Sequence, residues 1–517
     1  MIKKIFAFLL IVTLAFGLVA CGGGNSNSPA PGSNSPTASG STPASPAKPV
    51  EVTAAISGIP NGLDPVSEDS NPSITTCDHF YDHLIKFDEN WNWNPAVAKS
   101  WKQIDSKTWE LEINLDYVFQ NGEKLTMDDV VYSIERLKNI PKSADFAKHV
   151  STSYKDNILT LSFDIEDNTL LTKVNHIAVI VNKAYIEAGG DDAIYKNPIG
   201  TGPYKVTEFT PGASITLETW DGYPFAKPQI DILKLIAIPD NSNRYISVES
   251  GQNQYAGLVT AFEADLAKQN TKLSLSEKES ARYCGFEINT EKAPLNDVNV
   301  RRALAYALDR DSMCALQGGR PPLKSVVFCG FSDYYNESQY LPEFDLDKAK
   351  QLFEAAGITP ANPLDLEICF WQSDPCLELY QSTLKPLGVN VTLNLLEFSV
   401  WVTKEGAGDF QKMWTGLINR GGALLDLERL DSAYIGTRNN TRLANPAVDA
   451  LIWQMRTTTD DSKLKDLAKQ ISDIAAQDCA FIPVYLQTMY SVMDKNLTGV
   501  TLRGDMVQDF RHAVYTG

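Results

Sequence analysis

The sequence predicts an α/β protein: a strand-rich first part, a second part in which strands and helices alternate, and a C-terminal tail that returns to strand. Three observations carry this. Leu364, Leu366, Ile368 and Phe370 alternate, residues Leu377 to Leu387 read as a helix, and Val389, Val391, Leu393 and Leu395 alternate again. Strand, helix, strand is the crossover unit of a parallel sheet covered by helices. Nearer the N-terminus, Trp109, Leu111, Ile113 and Leu115 alternate with polar residues, the two-residue period of a half-buried strand. Toward the end, the helical stretches Pro446 to Met455 and Ser462 to Ala476 lead into a strand from Phe481 to Met493.

The chain starts with Lys3 and Lys4, an apolar run from Ile5 to Phe16, and Leu18-Val19-Ala20-Cys21. The run is short for a membrane span, and the order of charged, apolar and small residues is that of a secretory signal. Leu18 to Cys21 resembles the lipobox of bacterial lipoproteins, in which the cysteine is lipidated and becomes the new N-terminus. Residues 1–20 are thus expected to be removed, and Cys21 to tether the protein to a membrane. From Gly22 to Pro49 nearly every residue is Gly, Ser, Asn, Pro, Ala or Thr. Such a stretch cannot bury a core, so 21–49 reads as a lipidated cysteine followed by a flexible spacer. A long spacer suits the outer face of a Gram-positive membrane, with a periplasmic lipoprotein as the alternative.

The body from Val50 to Gly517 has ordinary globular composition and length for two or three domains. Its charge excludes one class of partner. The formal net charge of the whole chain is -18, and loss of Lys3 and Lys4 makes it more negative. Nucleic-acid backbones require a basic surface, so nucleic acid is not expected as a partner. Beyond Cys21 come Cys77, Cys284, Cys314, Cys329, Cys369, Cys376 and Cys479, an odd number. Cys314 with Cys329, and Cys369 with Cys376, are close enough in sequence for local bridges in an exported protein; buried thiols are the alternative. No C-x-x-C pair occurs, which argues against a zinc ribbon or a thioredoxin-like site.

Within the body, Thr126 and Asp129 form a capping-box pattern ahead of a helix whose Val130, Val131, Ile134 and Leu137 share one face. Tyr204-Lys205-Val206 and Ile215-Thr216-Leu217 flank Pro211-Gly212, a strand pair fed by the loop Gly200-Thr201-Gly202-Pro203. Val300 to Leu308 and Asp345 to Ala356 read as helices, the second stopped by Gly357.

Several enzyme signatures are missing. No Lys-Ser/Thr pair follows Gly200 and Gly202, so that loop is not a phosphate cradle. There is no G-x-S-x-G elbow and no H-E-x-x-H pair. His79 and His83 would share a helix face beside Asp78 and Asp82, but no third or fourth ligand is identifiable, and a polar face at the start of a lobe explains them without a metal.

Four blocks, in order, resemble the family 5 solute-binding proteins, the peptide/nickel group that serves ABC importers. They are Tyr81-Asp82-His83-Leu84-Ile85 with Asn94-Pro95-Ala96-Val97-Ala98-Lys99-Ser100-Trp101; Asn121 to Ser133; Gly200 to Tyr204; and Val300 to Arg310. The resemblance implies a two-lobed, periplasmic-binding-protein-like fold of type II, cluster C, with an extra subdomain in the first lobe. Carried onto this chain, the first lobe comprises 50–82, 196–281 and 486–517, the extra subdomain 83–195, and the second lobe 282–485. It implies a monomeric receptor that captures a small molecule or peptide, with permease and ATPase subunits as partners and no cofactor. The expected solute is an oligopeptide or dipeptide; the alternatives are the same receptor role for a non-peptide ligand, such as a metal chelate, a sugar or an amino-acid derivative, and a secreted hydrolase with an unrecognised carboxylate pair.

Ligand contacts are expected where second-lobe strands end toward the cleft. Trp371 and Gln372 follow one strand, and Trp414, Thr415 and Gly416 follow a second that is expected over Asp409 to Met413. Aromatic rings give large contact area at small entropic cost. Arg420 is a candidate partner for a ligand carboxylate, and Tyr485 and Tyr490 candidates for the hinge side. One departure stands out: peptide-binding relatives place an aspartate three residues after the tryptophan of this segment, and here Leu417 occupies that position. A peptide ammonium would then need Asp426 or Glu428, or the ligand is not an ordinary peptide.

Overall fold

The computed structural model describes residues 48–517 apart from 67, 69, 89–91, 142, 319–320, 328–333 and 419–422. The signal segment, Cys21, most of the spacer, Cys329 and Arg420 lie outside the described residues. No described helix is long and apolar enough to cross a membrane.

A 10-stranded sheet runs through the whole body. Its strands in chain order are β1 (Glu51–Ile56), β2 (Tyr204–Thr210), β3 (Ser214–Thr219), β4 (Ile232–Ala237), β5 (Tyr255–Val259), β6 (Leu273–Ile288), β7 (Leu364–Phe370), β8 (Val389–Leu395), β9 (Lys412–Ile418) and β10 (Phe481–Asp494). Their spatial order is β8-β7-β9-β6-β10-β5-β1-β4-β3-β2. The predicted crossover is present: β7 and β8 pair in parallel from Leu364↔Val389 to Phe370↔Leu395, joined by the helix Pro375–Leu384. The expected strand pair is β2 with β3. The helices Val298–Tyr306, Leu346–Ala355, Pro446–Thr457 and Asp461–Asp478 also fall where predicted. Thr126 and Asp129 close the capping box of Met127–Glu135.

Two strands are long enough to belong to both lobes. The first half of β6 pairs with the second half of β10, Leu273↔Asp494 to Glu279↔Thr488, and its second half pairs with the first half, Tyr283↔Leu486 to Glu287↔Phe481. Between them the register shifts, between Glu279 and Tyr283 and again between Cys284 and Gly285. Extra residues of this kind bend a strand and sharpen its twist. At the bend, the Ser280 hydroxyl donates to the Gln487 carbonyl at 2.7 Å and Ala281 N–H to the Gly504 carbonyl at 2.7 Å.

Separate cores lie on the two sides. Phe286, Ile288, Leu304, Phe353, Leu366, Ile368, Tyr380 and Trp414 share one, and Val52, Leu63, Phe80, Leu217, Leu235, Tyr255 and Phe510 another. A four-stranded sheet of Ala98–Asp105, Thr108–Ile113, Ile158–Phe163 and Val150–Lys155 carries a third, with Leu111, Ile113, Val130, Leu159 and Leu171.

The loop Gly200-Thr201-Gly202-Pro203 is a packing device. Gly202 N–H donates to the Phe80 carbonyl at 3.0 Å, and the Gln120 amide reaches that carbonyl at 2.9 Å. A Cβ on Gly200 would stand 2.7 Å from the Tyr81 ring and closer still to the Phe80 carbonyl oxygen. Gly200→Ala is therefore expected to cost about 1–3 kcal/mol by overpacking; an unchanged urea midpoint would refute this reading of the loop.

Two expectations are corrected, and between bridges and buried thiols the described cysteines fall to thiols. Helix Asn71–Cys77 ends before His79, so His79 and His83 share no helix face. His79 Nδ1 bonds the Thr75 carbonyl at 2.7 Å while its Nε2 accepts from Phe510 N–H at 3.1 Å; His83 bonds the Asn175 carbonyl and Asp78. The expected polar face is a set of interior hydrogen bonds instead. Among the described residues no cluster of metal-ligating side chains gathers. Cys369 and Cys376 are not bridged: strand end and helix start aim them apart, Cys369 Sγ toward Glu367 and Cys376 Sγ toward the Met313 carbonyl. The Cys314 thiol is also free, directed at the Val484 carbonyl. Finally, the strand expected over Asp409 to Met413 runs over Lys412–Ile418, because its pairing with Arg282–Ile288 sets its limits.

Candidate functional site

The strands β7, β8 and β9 point their C-terminal ends the same way, and that edge adjoins the bend where β6 and β10 pass between the lobes. In open parallel sheets ligands bind outside the carboxyl ends of the strands. Trp371 is the first residue beyond β7; it is half-buried, with its ring 5.0 Å from that of Phe398. Gln372 beside it is exposed.

Gly416 is half-buried in β9 opposite Cys284, two residues from the Arg282↔Ile418 pair that closes this edge. Because β9 runs on to Ile418, Trp414 and Thr415 lie inside the strand rather than beyond it, and both are buried. Trp414 packs 4.7 Å from Phe286 and 6.0 Å from Tyr485, as a wall behind the edge. The Tyr485 hydroxyl donates to Asp374 Oδ2 at 2.7 Å, and the Gln317 amide donates to Asp374 Oδ1 at 3.0 Å. Burial, with Cys284 and Asp374 beside it, raises the Tyr485 phenol far above the ordinary range, so it stays a donor. Tyr490, from the first-lobe half of β10, is half-buried against Val259 and Val492, and a Cβ on Gly318 would lie 3.6 Å from its hydroxyl.

The acids proposed for a ligand ammonium are occupied. Asp426 is buried, accepts from the Tyr283 hydroxyl at 2.7 Å and pairs with Arg429. Glu428 is buried and held by Lys173 at 2.7 Å. Arg282, Asp374, Gln317 and Phe398 were not singled out by sequence; none belongs to a recognisable motif, and only the fold brings them to this edge.

Lys173 also marks a second crossing between the two halves. Asn168 donates from its side chain to the Met455 and Thr458 carbonyls, both at 3.0 Å, and from its N–H to the Arg456 carbonyl at 2.9 Å. Burial opposes the Lys173 charge, but Glu428 and Asp167 outweigh it and raise the ammonium above its ordinary range. Opening the lobes would hydrate both partners, so the pair contributes only about 1–2 kcal/mol to closure. Lys173→Met is expected to expand the unliganded chain in small-angle scattering; an unchanged radius of gyration would show the contact is passive.

An open hollow of about 1040 Å³ lies elsewhere, bounded by Tyr185, Tyr195, Lys196 and Phe209, and none of the predicted ligand residues lines it.

Two lobes on a shared pair of bent strands, with an aromatic edge facing the bend, define a receptor that holds a solute between them. Residues 92–423 match the family "Bacterial extracellular solute-binding proteins, family 5 Middle". The chain belongs to that family. It is 25% identical over 488 residues to the dipeptide-binding protein of Escherichia coli (strain K12), covering 86% of this chain and 90% of the relative. It is 30% identical over 358 residues to the oligopeptide-binding protein OppA of Bacillus subtilis (strain 168), covering 65% and 63%. The crystal structure of the dipeptide-binding protein from Pseudoalteromonas sp. SM9913 with Met-Leu superposes with TM-score 0.80 at 19% identity, over 90% of this chain and all of the other.

Proposed function

We propose that this chain is the solute-binding component of an ABC importer, a receptor without turnover that captures an oligopeptide or dipeptide and presents it to the permease. The observation that carries this is the pair β6 and β10, which runs through both lobes and changes register between them. A ligand touching both lobes converts its binding free energy into closure about that bend, a shape a permease distinguishes from the open one. The lobes divide as 50–82, 196–281 and 486–517 against 282–485, with 83–195 as the extra subdomain. Trp371, Gln372 and Gly416 form the ligand edge, backed by Trp414, Thr415 and Tyr485, with Tyr490 on the first-lobe side; Arg420, outside the described residues, stays a sequence candidate for a ligand carboxylate. Cys21 carries the lipid that holds the monomer on the outer face of the cell membrane, in keeping with the signal and spacer pattern.

The test is mass spectrometry of solutes released by denaturing the purified full chain, followed by small-angle scattering with those solutes and with a panel of peptides, sugars and metal chelates. Compaction without product formation supports the receptor. Turnover of any solute, or no compaction with any of them, overturns it.

A further inference from the structure

We propose that Arg282, laid over the Trp371 ring in the slot left by Gly416, is the anchor for a carboxylate of the bound solute, so that the receptor selects anionic ligands carrying an apolar group beside the carboxylate. This rests on the receptor reading above and deepens it.

Other interior arginines also leave single nitrogens unpaired, Arg456 Nε and Nη2 and Arg442 Nε, but each still makes an ion pair or a side-chain hydrogen bond. Arg136 meets Asp64 at 2.6 Å, Arg456 meets Asp431 at 2.5 Å, Arg503 meets Asp505 at 2.6 Å, and Arg429 pairs with Asp426. Arg244 and Arg301 donate to backbone carbonyls. Arg282 makes no ion pair and no side-chain hydrogen bond among the described residues, and its Nε is buried without an acceptor. The Nε faces the Gly416 backbone, so the nitrogens left to meet a ligand oxygen are the terminal Nη groups, which are not among the sealed atoms.

Position and orientation agree. Arg282 lies within the register shift of β6 against β10, just before pairing resumes at Tyr283, and stands opposite Ile418, the last residue of β9. That is the edge where the parallel strands end. Its guanidinium carbon lies 5.8 Å from the Trp371 ring centre, within the range of a cation–π contact, and Phe398 braces that ring. A guanidinium stacked on a ring keeps its edge free for two parallel N–H···O bonds to a carboxylate.

Gly416 admits it. A Cβ there would stand 2.7 Å from Arg282 Cζ and closer still to Nε. The apolar preference follows from the neighbours of the same edge: Phe398 and Leu395 are both more than half exposed beside Trp371. The alternative anchor, an acid for a ligand ammonium, is absent at Leu417 and already engaged at Asp426 and Glu428.

The experiment uses the full chain stripped of co-purifying solute and titrated calorimetrically with Ala-Phe, Ala-Phe amide, N-acetyl-Ala-Phe and 3-phenylpropionate. Amidation of the carboxylate is expected to weaken binding about tenfold or more, while N-acetylation changes it by less than about threefold. Arg282→Gln and Gly416→Ala should each erase the difference between acid and amide, and Arg282→Lys should keep part of it. Their unliganded urea midpoints report folding separately. Binding of 3-phenylpropionate would extend the anchor to simple acids, and binding of Ala-Phe alone would assign it to peptides. Equal affinity for acid and amide, or discrimination that survives in Arg282→Gln, overturns the proposal. So does closure of the chain only around solutes that lack a carboxylate, an outcome that leaves the receptor standing. If no solute closes the chain, both readings fall.

Discussion

Arg503→Ala is expected to destabilise the chain by about 3–5 kcal/mol at neutral pH, a large part of an ordinary folding free energy. Arg503 Nη1 binds Asp78 Oδ2 at 2.8 Å, and its Nη2 and Nε bind the two oxygens of Asp505 at 2.6 and 3.1 Å. Asp78 and Asp505 are buried. Burial alone would raise the Asp78 carboxyl, but the His83 hydrogen bond and the Arg503 charge outweigh it and hold it well below the carboxylate range. Removing the guanidinium leaves two buried carboxylates to neutralise themselves.

The sign with pH follows from linkage. A carboxyl whose folded pKa is depressed contributes stability above its unfolded pKa of about 3.9 and loses it as pH falls through the folded value. The gap between wild type and Arg503→Ala should therefore be full at pH 7 and shrink below about pH 4. Urea unfolding at both pH values tests this, and Arg503→Met with Asp78→Asn and Asp505→Asn should recover much of the loss. A gap under about 1 kcal/mol, or one indifferent to pH, would show that the network is peripheral.

The local elements were legible because local rules decide them. The alternation over Leu364 to Phe370 and Val389 to Leu395 gives both strands at their observed limits, and Gly357 stops the preceding helix in the left-handed region at φ 77°. The bend was not legible. Leu273–Ile288 breaks its own alternation at Ser280 and Ala281, where the register slips, so nothing in the run marks it as a single strand shared by two lobes. Arg503 and Asp78 meet across 425 residues, which no pattern window spans. Arg282 carries no motif; its role depends on a tryptophan and a glycine supplied by strands far along the chain. The cysteine spacing left bridges and buried thiols equally open because it bounds distance and says nothing of side-chain direction; the described cysteines are buried thiols.

The second large effect is a pH dependence of stability set by two buried acids and a buried lysine acting with opposite signs, so that single substitutions among Glu287, Glu405 and Lys412 reshape the profile. Burial, and then the neighbouring Glu405, push the Glu287 carboxyl far above its ordinary range. Burial likewise raises Glu405 to about 7, although hydrogen bonds from Glu287 and Asn440 oppose it. Two such acids share a proton in the folded state that the unfolded chain has released above about pH 4.3. The folded state then binds more protons, so stability falls as pH rises from about 4.3 through about 7.

Lys412 acts in the opposite sense. It is fully buried, its Nζ 4.1 Å from the Phe286 ring centre and 2.9 Å from the Tyr380 hydroxyl, and burial lowers its ammonium well below the ordinary lysine range. Here the unfolded chain binds the extra proton, so this group costs stability at neutral pH and ceases to do so as pH approaches about 10.4. Glu287→Gln should gain on the order of 2 kcal/mol at pH 8 and nothing at pH 4, and Lys412→Met should gain a similar amount at pH 7 that vanishes near pH 10. Urea midpoints of the three proteins from pH 4 to pH 10 decide it. Parallel profiles would mean that these groups keep their ordinary charges in the fold, with water or an ion compensating them.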